Sequence, residues 1–529
     1  MTKAKDKSPA ETSGRDLASE IANTFEWLII AFVLAFVFRS FVLEAFRIPT
    51  GSMADTLMGA HFRLRCIQCG YKYDHGADSG YQPINLQRRM RSLPSTRCPS
   101  CGYVRPVSTV ASVSGGDRIL VLKCLYQFVE PKQWDVVVFK NPLEPKINYI
   151  KRLIGRPGQK LEIIDGDVYI DGEISRKPPR VQKDLWMPIY DNDFQPAKPD
   201  EPFFNGHVWR QPFKNTADSR WELDKANPVA FALDSPAEQV HMLYYDTSAG
   251  NDFRASYAYN DVSDYSHRPY CSDLMLRFYV SRQGHSGSIG AVLSKYESVY
   301  RGWVDFSGEM IITERYGGKE DVLARKQIDT GSGDRAVLFG FANVDHQLIL
   351  RFGKERLMFD LGQTASDAGP RKTDIEPQVK IFGSGSLKLS QTALFRDIHY
   401  ISQRYAGTSG GRGTEGHPFE LEADEFFVLG DNSPNSQDGR WWNQEGIGNS
   451  DTHYRAGIVP RDYLVGKALY VYWPAGYDFP WPAGLKHFLA RNSGRNRLLN
   501  AINALINLNW IPDISRMRFI YGGREQGGR

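Results

Sequence analysis

The feature that most restricts the fold is an apolar run close to the N-terminus. From Trp27 to Phe38 it is unbroken, and with Arg39 and Glu44 as interruptions it continues to Phe46. As a helix, residues 27–46 reach across a hydrocarbon layer of about 30 Å. A removable signal peptide would place small residues after a shorter apolar core, whereas Arg39, Ser40 and Phe41 follow here. The run is therefore read as a retained transmembrane anchor, with a buried core helix or interfacial helix as the alternative. Lys3, Lys5, Lys7 and Arg15 precede it, and only basic residues count in setting orientation. Residues 1–26 are accordingly placed in the cytoplasm and everything after residue 46 outside, in a single pass of the cytoplasmic membrane.

Beyond the anchor the chain is mainly β. At 529 residues it exceeds what one core organises, so several domains are expected. Hydrophobic residues make up 41% and charged residues 24%, a globular composition, and its richness in Tyr, Phe, Trp and Gly favours strands and turns. The net charge of +4 is small for this length, so nucleic acid is excluded as a partner and the lipid bilayer is kept.

Along the chain, Pro49 and Gly51 punctuate a short apolar strand and present Ser52 on a turn. Residues 61–106 form a cysteine-bearing insert. Strands follow at 116–123, 134–139 and 149–154, and 161–174 reads as a hairpin about Asp165-Gly166. From about 180 to 405 short strand candidates alternate with turn signals, among them 274–279, 337–340, 347–352, 387–389 and 398–402, the texture of a β-sandwich. Phe341 to Leu348 and Arg396 to Tyr400 loosely resemble laminin-G or concanavalin-like sandwiches. A Gly/Ser/Thr-rich linker, 406–416, leads into a second motif-bearing segment, so the sandwich reads as an insertion between residues 47–179 and 417–529. Apolar residues at helical spacing predict a short helix over 495–508.

Taken singly, the chemistry-bearing residues are ambiguous. Most Gly-Ser pairs in loops are turns, and no Gly-x-Ser-x-Gly elbow accompanies Ser52. A lysine can replace histidine as base where burial strips its charge, and Lys151 lies inside the apolar strand Tyr149-Ile150-Lys151-Arg152-Leu153-Ile154; a solvent-facing strand lysine is the ordinary alternative. The order of four segments resolves the ambiguity. Ile48-Pro49-Thr50-Gly51-Ser52-Met53, then Gly116-Asp117, then Tyr149-Ile150-Lys151-Arg152 with Gly155-Arg156-Pro157-Gly158, then Gly430-Asp431-Asn432 through Asp438-Gly439-Arg440 follow one apolar run. In this order they resemble the signal peptidase I family, over roughly residues 27–58, 110–175 and 424–474.

The resemblance implies a catalytic core of antiparallel β structure, with Ser52 as acylated nucleophile and Lys151 as neutral base. It implies that Thr50 and the Ser52 backbone N–H form the oxyanion site, that Ser436 orients the lysine amine, and that Asp438 and Arg440 support that loop as an ion pair. Phe46, Ile48, Met53 and Ile150 match positions lining shallow apolar pockets, which implies exported preproteins cut after Ala-x-Ala-like sites. The chain departs from the family pattern in having Thr50 in place of the commoner serine, Asp55 for the usual proline, and Ser433-Pro434 for the usual Arg-Asp.

A separate signal is Cys66-x-x-Cys69 followed by Cys98-x-x-Cys101, with Gly70 and Gly102 after each pair. Two such knuckles supply four thiolates for a tetrahedral structural zinc; a pair of disulfides is the rival. Cys124 and Cys271 read as small buried apolar residues. No cofactor is needed for the chemistry. The expectation is a membrane-bound serine endopeptidase that removes signal peptides, with a glycan or protein ligand for the inserted sandwich. The alternative is a tethered binding protein that uses the sandwich and retains a degenerate peptidase scaffold. A self-cleaving repressor-type Ser/Lys protease is a third reading, but it would need a DNA-binding module and no anchor.

Overall fold

The computed structural model describes residues 13–77, 95–106, 113–196, 199, 208–223, 229–262, 268–331, 335–367, 372–404, 410–448, 453–476, 489, 499, 502 and 512–523. An α-helix, Ser13–Val37, continues as one π-helical turn to Val42, and its window Ser19–Val42 is long and apolar enough to cross a membrane. Trp27, Phe32, Leu34 and Phe36 point away from the protein, which is how a helix solvated by lipid presents itself. The helix ends four residues earlier than the expected span to residue 46. Leu43–Arg47 is instead a strand, held in antiparallel register by Arg118–Leu122 with Phe46 opposite Ile119.

That strand is one edge of the sheet that carries the candidate site. The order is Leu43–Arg47, Arg118–Leu122, Leu464–Trp473, Val136–Asn141, Glu144–Gly155, Glu425–Leu429, Val459–Pro460, with Arg518–Phe519 added beside Leu464–Trp473. Alternating Val and Ile side chains on its strands bury Ile119, Val121, Val136, Val138 and Val471 on one face with Ile48 and Met53. On the other face Val137, Phe139, Leu153, Phe426 and Val428 pack with Trp442 and Tyr463. A four-stranded sheet, Glu173–Ile174, Asp167–Ile170, Lys160–Ile164, Phe419–Glu420, contains the expected hairpin, whose two-residue turn has Asp165 and Gly166 at positive φ.

The inserted region forms a twelve-stranded antiparallel sheet. Its two longest strands, Leu274–Lys295 and Val379–Arg396, pair along most of their length, interrupted between Gln283 and Ser288. The first half of Leu274–Lys295 pairs with Val337–Val344 and the second half with Ser298–Asp305. The two arms that grow from these pairs fold over a shared core that includes Leu276, Phe278, Ile289, Leu293, Phe341 and Leu350. The result is sandwich-like, with the short expected strands 274–279 and 387–389 as pieces of much longer ones. Residues 398–402 are not a strand; their extended backbone is buried against other units, with Tyr400 N–H donating to Gly166 O and Ile401 N–H to Ser433 Oγ.

Two expectations meet a different arrangement. Residues 410–416 do not behave as a linker: Ile163 N–H donates to Gly413 O, Arg412 N–H to Arg440 O, and Thr414 is fully buried. The helix expected over 495–508 falls largely outside the described residues, of which Leu499 and Ile502 are helical.

The sandwich is pinned to the sheets beneath it by buried charge. Asp167 from the four-stranded sheet meets Asp273, Asp345 and Asp397 from the sandwich strand ends. Lys177 lies between Asp345 and Asp397, 2.9 Å from the latter, and Lys295 is 2.6 Å from Asp273 and 3.7 Å from Asp167. Each lysine is therefore shared by two carboxylates, which is the arrangement that allows charges of both signs to remain buried.

Candidate active site

Two antiparallel strands place the two sides of the site. Leu43–Arg47 delivers the chain to a turn at residues 48–58, where the Asp117 carboxylate accepts from Met58 N–H at 2.8 Å and Ala475 N–H at 2.9 Å, while Asp117 O accepts from Ile48 N–H at 2.8 Å. Within that turn Gly51–Met53 is a 3-10 segment closed by Ala54 N–H to Gly51 O. The Gly116-Asp117 segment of the sequence thus clamps the Ser52 turn at both ends.

Lys151 comes from the interior strand Glu144–Gly155, paired on one side to Val136–Asn141, with Val137 opposite Lys151, and on the other to Glu425–Leu429. An interior strand bonded on both sides cannot shift its register without breaking two ladders. Lys151 Nζ donates to Ser52 Oγ at 2.6 Å and to Ile150 O at 3.1 Å. Both side chains are buried, with Ser52 at 7% and Lys151 at 4% exposure. Burial lowers the Lys151 pKa from 10.5 to about 8, against the opposing pull of Asp438 and Asp431. A hydroxyl within hydrogen-bond reach of an amine whose neutral form becomes accessible just above neutral pH is the arrangement needed for general-base activation of a serine.

The 430–440 segment closes the site from the other side. Asn432 N–H donates to Ser52 O at 3.0 Å. Gly430 passes so close that a Cβ there would stand 2.2 Å from Ser436 Oγ and 2.5 Å from Ser52 O; no larger residue fits without moving Ser52 or Ser436. Asp438 and Arg440 form the expected ion pair, 2.8 Å and 2.9 Å along the two arms of the fork, both fully buried. Arg440 Nη1 also donates to Ser433 Oγ and to Ile401 O, each at 2.8 Å. Ser433, where the chain departs from the family pattern, is thus an acceptor for the guanidinium.

Ser436 makes no hydrogen bond to the lysine it is expected to orient. Its Oγ is buried without a hydrogen-bond partner among the described residues, and Lys151 bonds Ser52 and Ile150 instead. Thr50 is exposed at the start of the turn. Ile48, Met53 and Ile150 pack into one apolar cluster with Phe46 half-buried at its edge. Asp55 lines a cavity between the cysteine unit and the sandwich, together with Asp74, Arg396 and Arg516.

Sequence reasoning missed a second buried ion pair. Arg152 Nε and Nη2 reach the Asp431 carboxylate at 2.8 Å and 2.6 Å, and Nη1 donates to Trp134 O at 3.0 Å. This fork ties the lysine strand to the 430–440 segment. Its signal was the charged residue beside Lys151 in an otherwise apolar strand.

The four knuckle cysteines converge. Cys66 and Cys101 Sγ lie 3.6 Å apart, as do Cys69 and Cys98, and all four are buried free thiols. Backbone turns close each knuckle, Gly70 N–H to Cys66 O and Gly102 N–H to Cys98 O. A tetrahedral zinc with Zn–S bonds of about 2.3 Å holds its sulfurs roughly 3.8 Å apart, so the donor set fits that ion and does not fit disulfides, whose sulfurs stand at about 2.05 Å.

Residues 101–228 and 393–473 match the family model described as signal peptidase, peptidase S26. These segments contain Lys151, Ser436, Asp438 and Arg440 but not Ser52, and together make up less than half of the chain. Signal peptidase I of Rickettsia canadensis is 32% identical over 154 residues, covering 28% of this chain and 44% of that relative. Signal peptidase I of Rickettsia bellii is 30% identical over 164 residues, covering 31% and 43%. The chain thus spans under half the length of the curated relatives it matches, and within those segments the resemblance to the signal peptidase I family is borne out. Among solved structures, a Bacillus subtilis carbohydrate binding module covers 35% of this chain and 92% of its own at 9% identity and a TM-score of 0.20. A Caenorhabditis elegans galectin covers 24% and 86% at 9% identity and a TM-score of 0.19. Likenesses this slight bear on neither the fold nor the ligand of the sandwich.

Proposed function

We propose that the chain is a membrane-anchored serine endopeptidase that removes signal peptides from exported preproteins, with Ser52 as nucleophile and Lys151 as general base. The observation that carries this reading is the 2.6 Å hydrogen bond between a buried lysine and a buried serine. In the proposed cycle neutral Lys151 takes the Ser52 proton as Oγ attacks the scissile carbonyl. Lys151 then gives that proton to the departing amine, and the acyl-enzyme is hydrolysed by water activated by the same lysine. The Ser52 N–H, joined by the Thr50 hydroxyl after rotation inward, would stabilise the oxyanion; one such donor contributes about 3 kcal/mol. Phe46, Ile48, Met53 and Ile150 would supply apolar contacts to small side chains before the cut. The helix Ser13–Val37 with its π-turn would hold the site beside the bilayer surface.

We assign Cys66, Cys69, Cys98 and Cys101 to a structural zinc, which supplies folding energy to the knuckle unit and takes no part in the reaction. The deciding experiment is cleavage of a preprotein with an Ala-x-Ala site in detergent. The native chain is expected to cut, while Ser52→Ala and Lys151→Ala, folded to the same extent, are inert. An inert native chain, or a variant that cuts normally, refutes the reading in favour of the tethered binding protein.

A further inference from the structure

The nucleophile turn is held from behind by residues that lie in none of the four family segments. Residues 251–262, which follow the sandwich strand His241–Tyr245, cross the back of Gly51–Met53. Tyr259 stands against Gly51, where a Cβ would come within 2.0 Å of the ring; its hydroxyl donates to Ala60 O at 3.0 Å. Asn260 and Asn432 exchange reciprocal amide hydrogen bonds of 2.8 Å. The remaining N–H of the Asn432 amide donates to Gly51 O at 3.1 Å, and its backbone N–H donates to Ser52 O at 3.0 Å. Asn432 therefore holds the carbonyls of both Gly51 and Ser52, and Asn260 fixes the plane of the Asn432 amide.

On its far side the same segment is fastened to the cysteine unit. Gly76 N–H donates to Tyr259 O at 2.8 Å, His75 Nδ1 lies 3.0 Å from Ala258 O, and Asn251 Nδ2 donates to Cys98 O at 3.1 Å. Alternate residues of the segment are buried, Tyr257, Tyr259 and Asn260 among them, and the amide pair of Asn260 and Asn432 is hydrogen-bonded in both directions.

We propose that Tyr259 and Asn260 are positioning residues for Ser52, acting through Gly51 and Asn432, so that the inserted region completes the site. The inference rests on the Ser52/Lys151 reading. Neither residue touches the dyad; each fixes the turn whose placement sets the Ser52–Lys151 distance. A misplacement of about 1 Å at reacting atoms costs on the order of 100-fold in rate.

The test measures kcat, KM and the pH profile of the full chain in detergent on an Ala-x-Ala preprotein, with Ser52→Ala as the inert reference. Asn260→Ala and Tyr259→Ala are expected to lower kcat by roughly 10- to 100-fold with KM changed less than about threefold. The acid limb of the profile should move to higher pH, because a turn that drifts from Lys151 lets water reach the amine. Tyr259→Phe, which keeps the ring against Gly51, should retain kcat within about threefold. If the alanine variants fold poorly, Asn260→Asp decides: it keeps an acceptor for Asn432 Nδ2 and loses the donor, lowers the unfolding midpoint by burying a carboxylate, and should lower kcat per folded molecule when assayed below that midpoint. Native kcat and native pH profile in these variants, beside an inert Ser52→Ala, overturn the positioning role and leave the dyad standing. Loss of activity that tracks only the fraction unfolded overturns it too, and an inert native chain removes the dyad together with this inference.

Discussion

Replacing Lys151 by methionine should make the protein inactive and, at neutral pH, more stable. Lys151 is fully enclosed, and burial lowers its pKa from 10.5 to about 8. The folded chain therefore binds this proton more weakly than the unfolded chain does. Below pH about 8 both states are protonated and the full penalty of burying the ammonium is present, roughly 3 kcal/mol at 1.36 kcal/mol per pH unit. Between about pH 8 and 10.5 the folded state is neutral while the unfolded state is still charged, so stability rises with pH and the penalty fades. Methionine removes the penalty and also the hydrogen bond to Ser52 Oγ, a loss of about 1 kcal/mol. Lys151→Met should thus exceed the native chain by roughly 2 kcal/mol at pH 7 and by roughly nothing at pH 10. Urea-unfolding midpoints of the two proteins in detergent at both pH values measure this directly, because every other titrating group cancels in the difference. A variant less stable by the same amount at both pH values would show that Lys151 does not carry a buried, strained charge, and would remove the physical basis for its acting as a base.

The same lowered pKa fixes the activity profile: kcat should climb about fivefold from pH 7 to pH 8 and less than about twofold above that, as the neutral fraction of Lys151 saturates; a profile flat from pH 6 would exclude a lysine base. Asp431→Leu leaves the buried Arg152 guanidinium without its carboxylate and should cost about 3–5 kcal/mol, most of it recovered in the double variant with Arg152→Met; equal unfolding midpoints for the single and double variants would contradict the fork as drawn. Metal analysis of the purified chain should find one zinc, lost in Cys98→Ser, and thiol titration in denaturant with chelator but without reductant should count all six cysteines; a count of two would mean disulfides.

How far the site was legible depends on how local its causes are. Ser52, Lys151, Asp438 and Arg440 could be named because each sits in a short run whose order along the chain is itself informative, and the cysteine pairs because a metal demands fixed spacing. The hairpin at Asp165-Gly166 and the strand containing Lys151 follow from turn chemistry and apolar pattern within a few residues. The apolar helix stops at Val42, four residues short of the expected 46, because Leu43, Ala45 and Phe46 are as acceptable to a sheet as to an apolar helix; the partner strand Arg118–Leu122, far along the chain, decides between them. The reciprocal pair of Asn260 and Asn432, 172 residues apart, leaves no periodic or compositional trace. The same holds for the packing of 410–416, which a Gly/Ser/Thr-rich composition presents as a linker until the hydrogen bonds it makes with Ile163 and Arg440 are known.

The way the large insertion is tolerated has a topological explanation that bears on the function. The chain leaves the smaller sheet after Glu173–Ile174 and re-enters it at Phe419–Glu420, and these strands lie in the same four-stranded sheet, the second paired to Lys160–Ile164. Exit and return thus lie at the two edges of one small sheet, three strand spacings or roughly 14 Å apart, so more than two hundred residues can be added without separating the Lys151 strand from the 430–440 segment that faces it. Such an insertion would still be free to swing were it joined only at its ends. The lysine-bridged carboxylates at Asp167, Asp273, Asp345 and Asp397, the hydrogen bonds from residues 251–262 to Ala60 and Asn432, and the Tyr259 ring packed on Gly51 remove that freedom. An element so fixed, with one of its loops against the turn that carries Ser52, would be coupled mechanically to the Ser52–Lys151 distance under the proposed reading. Any ligand or substitution that shifts it should be read out first in kcat.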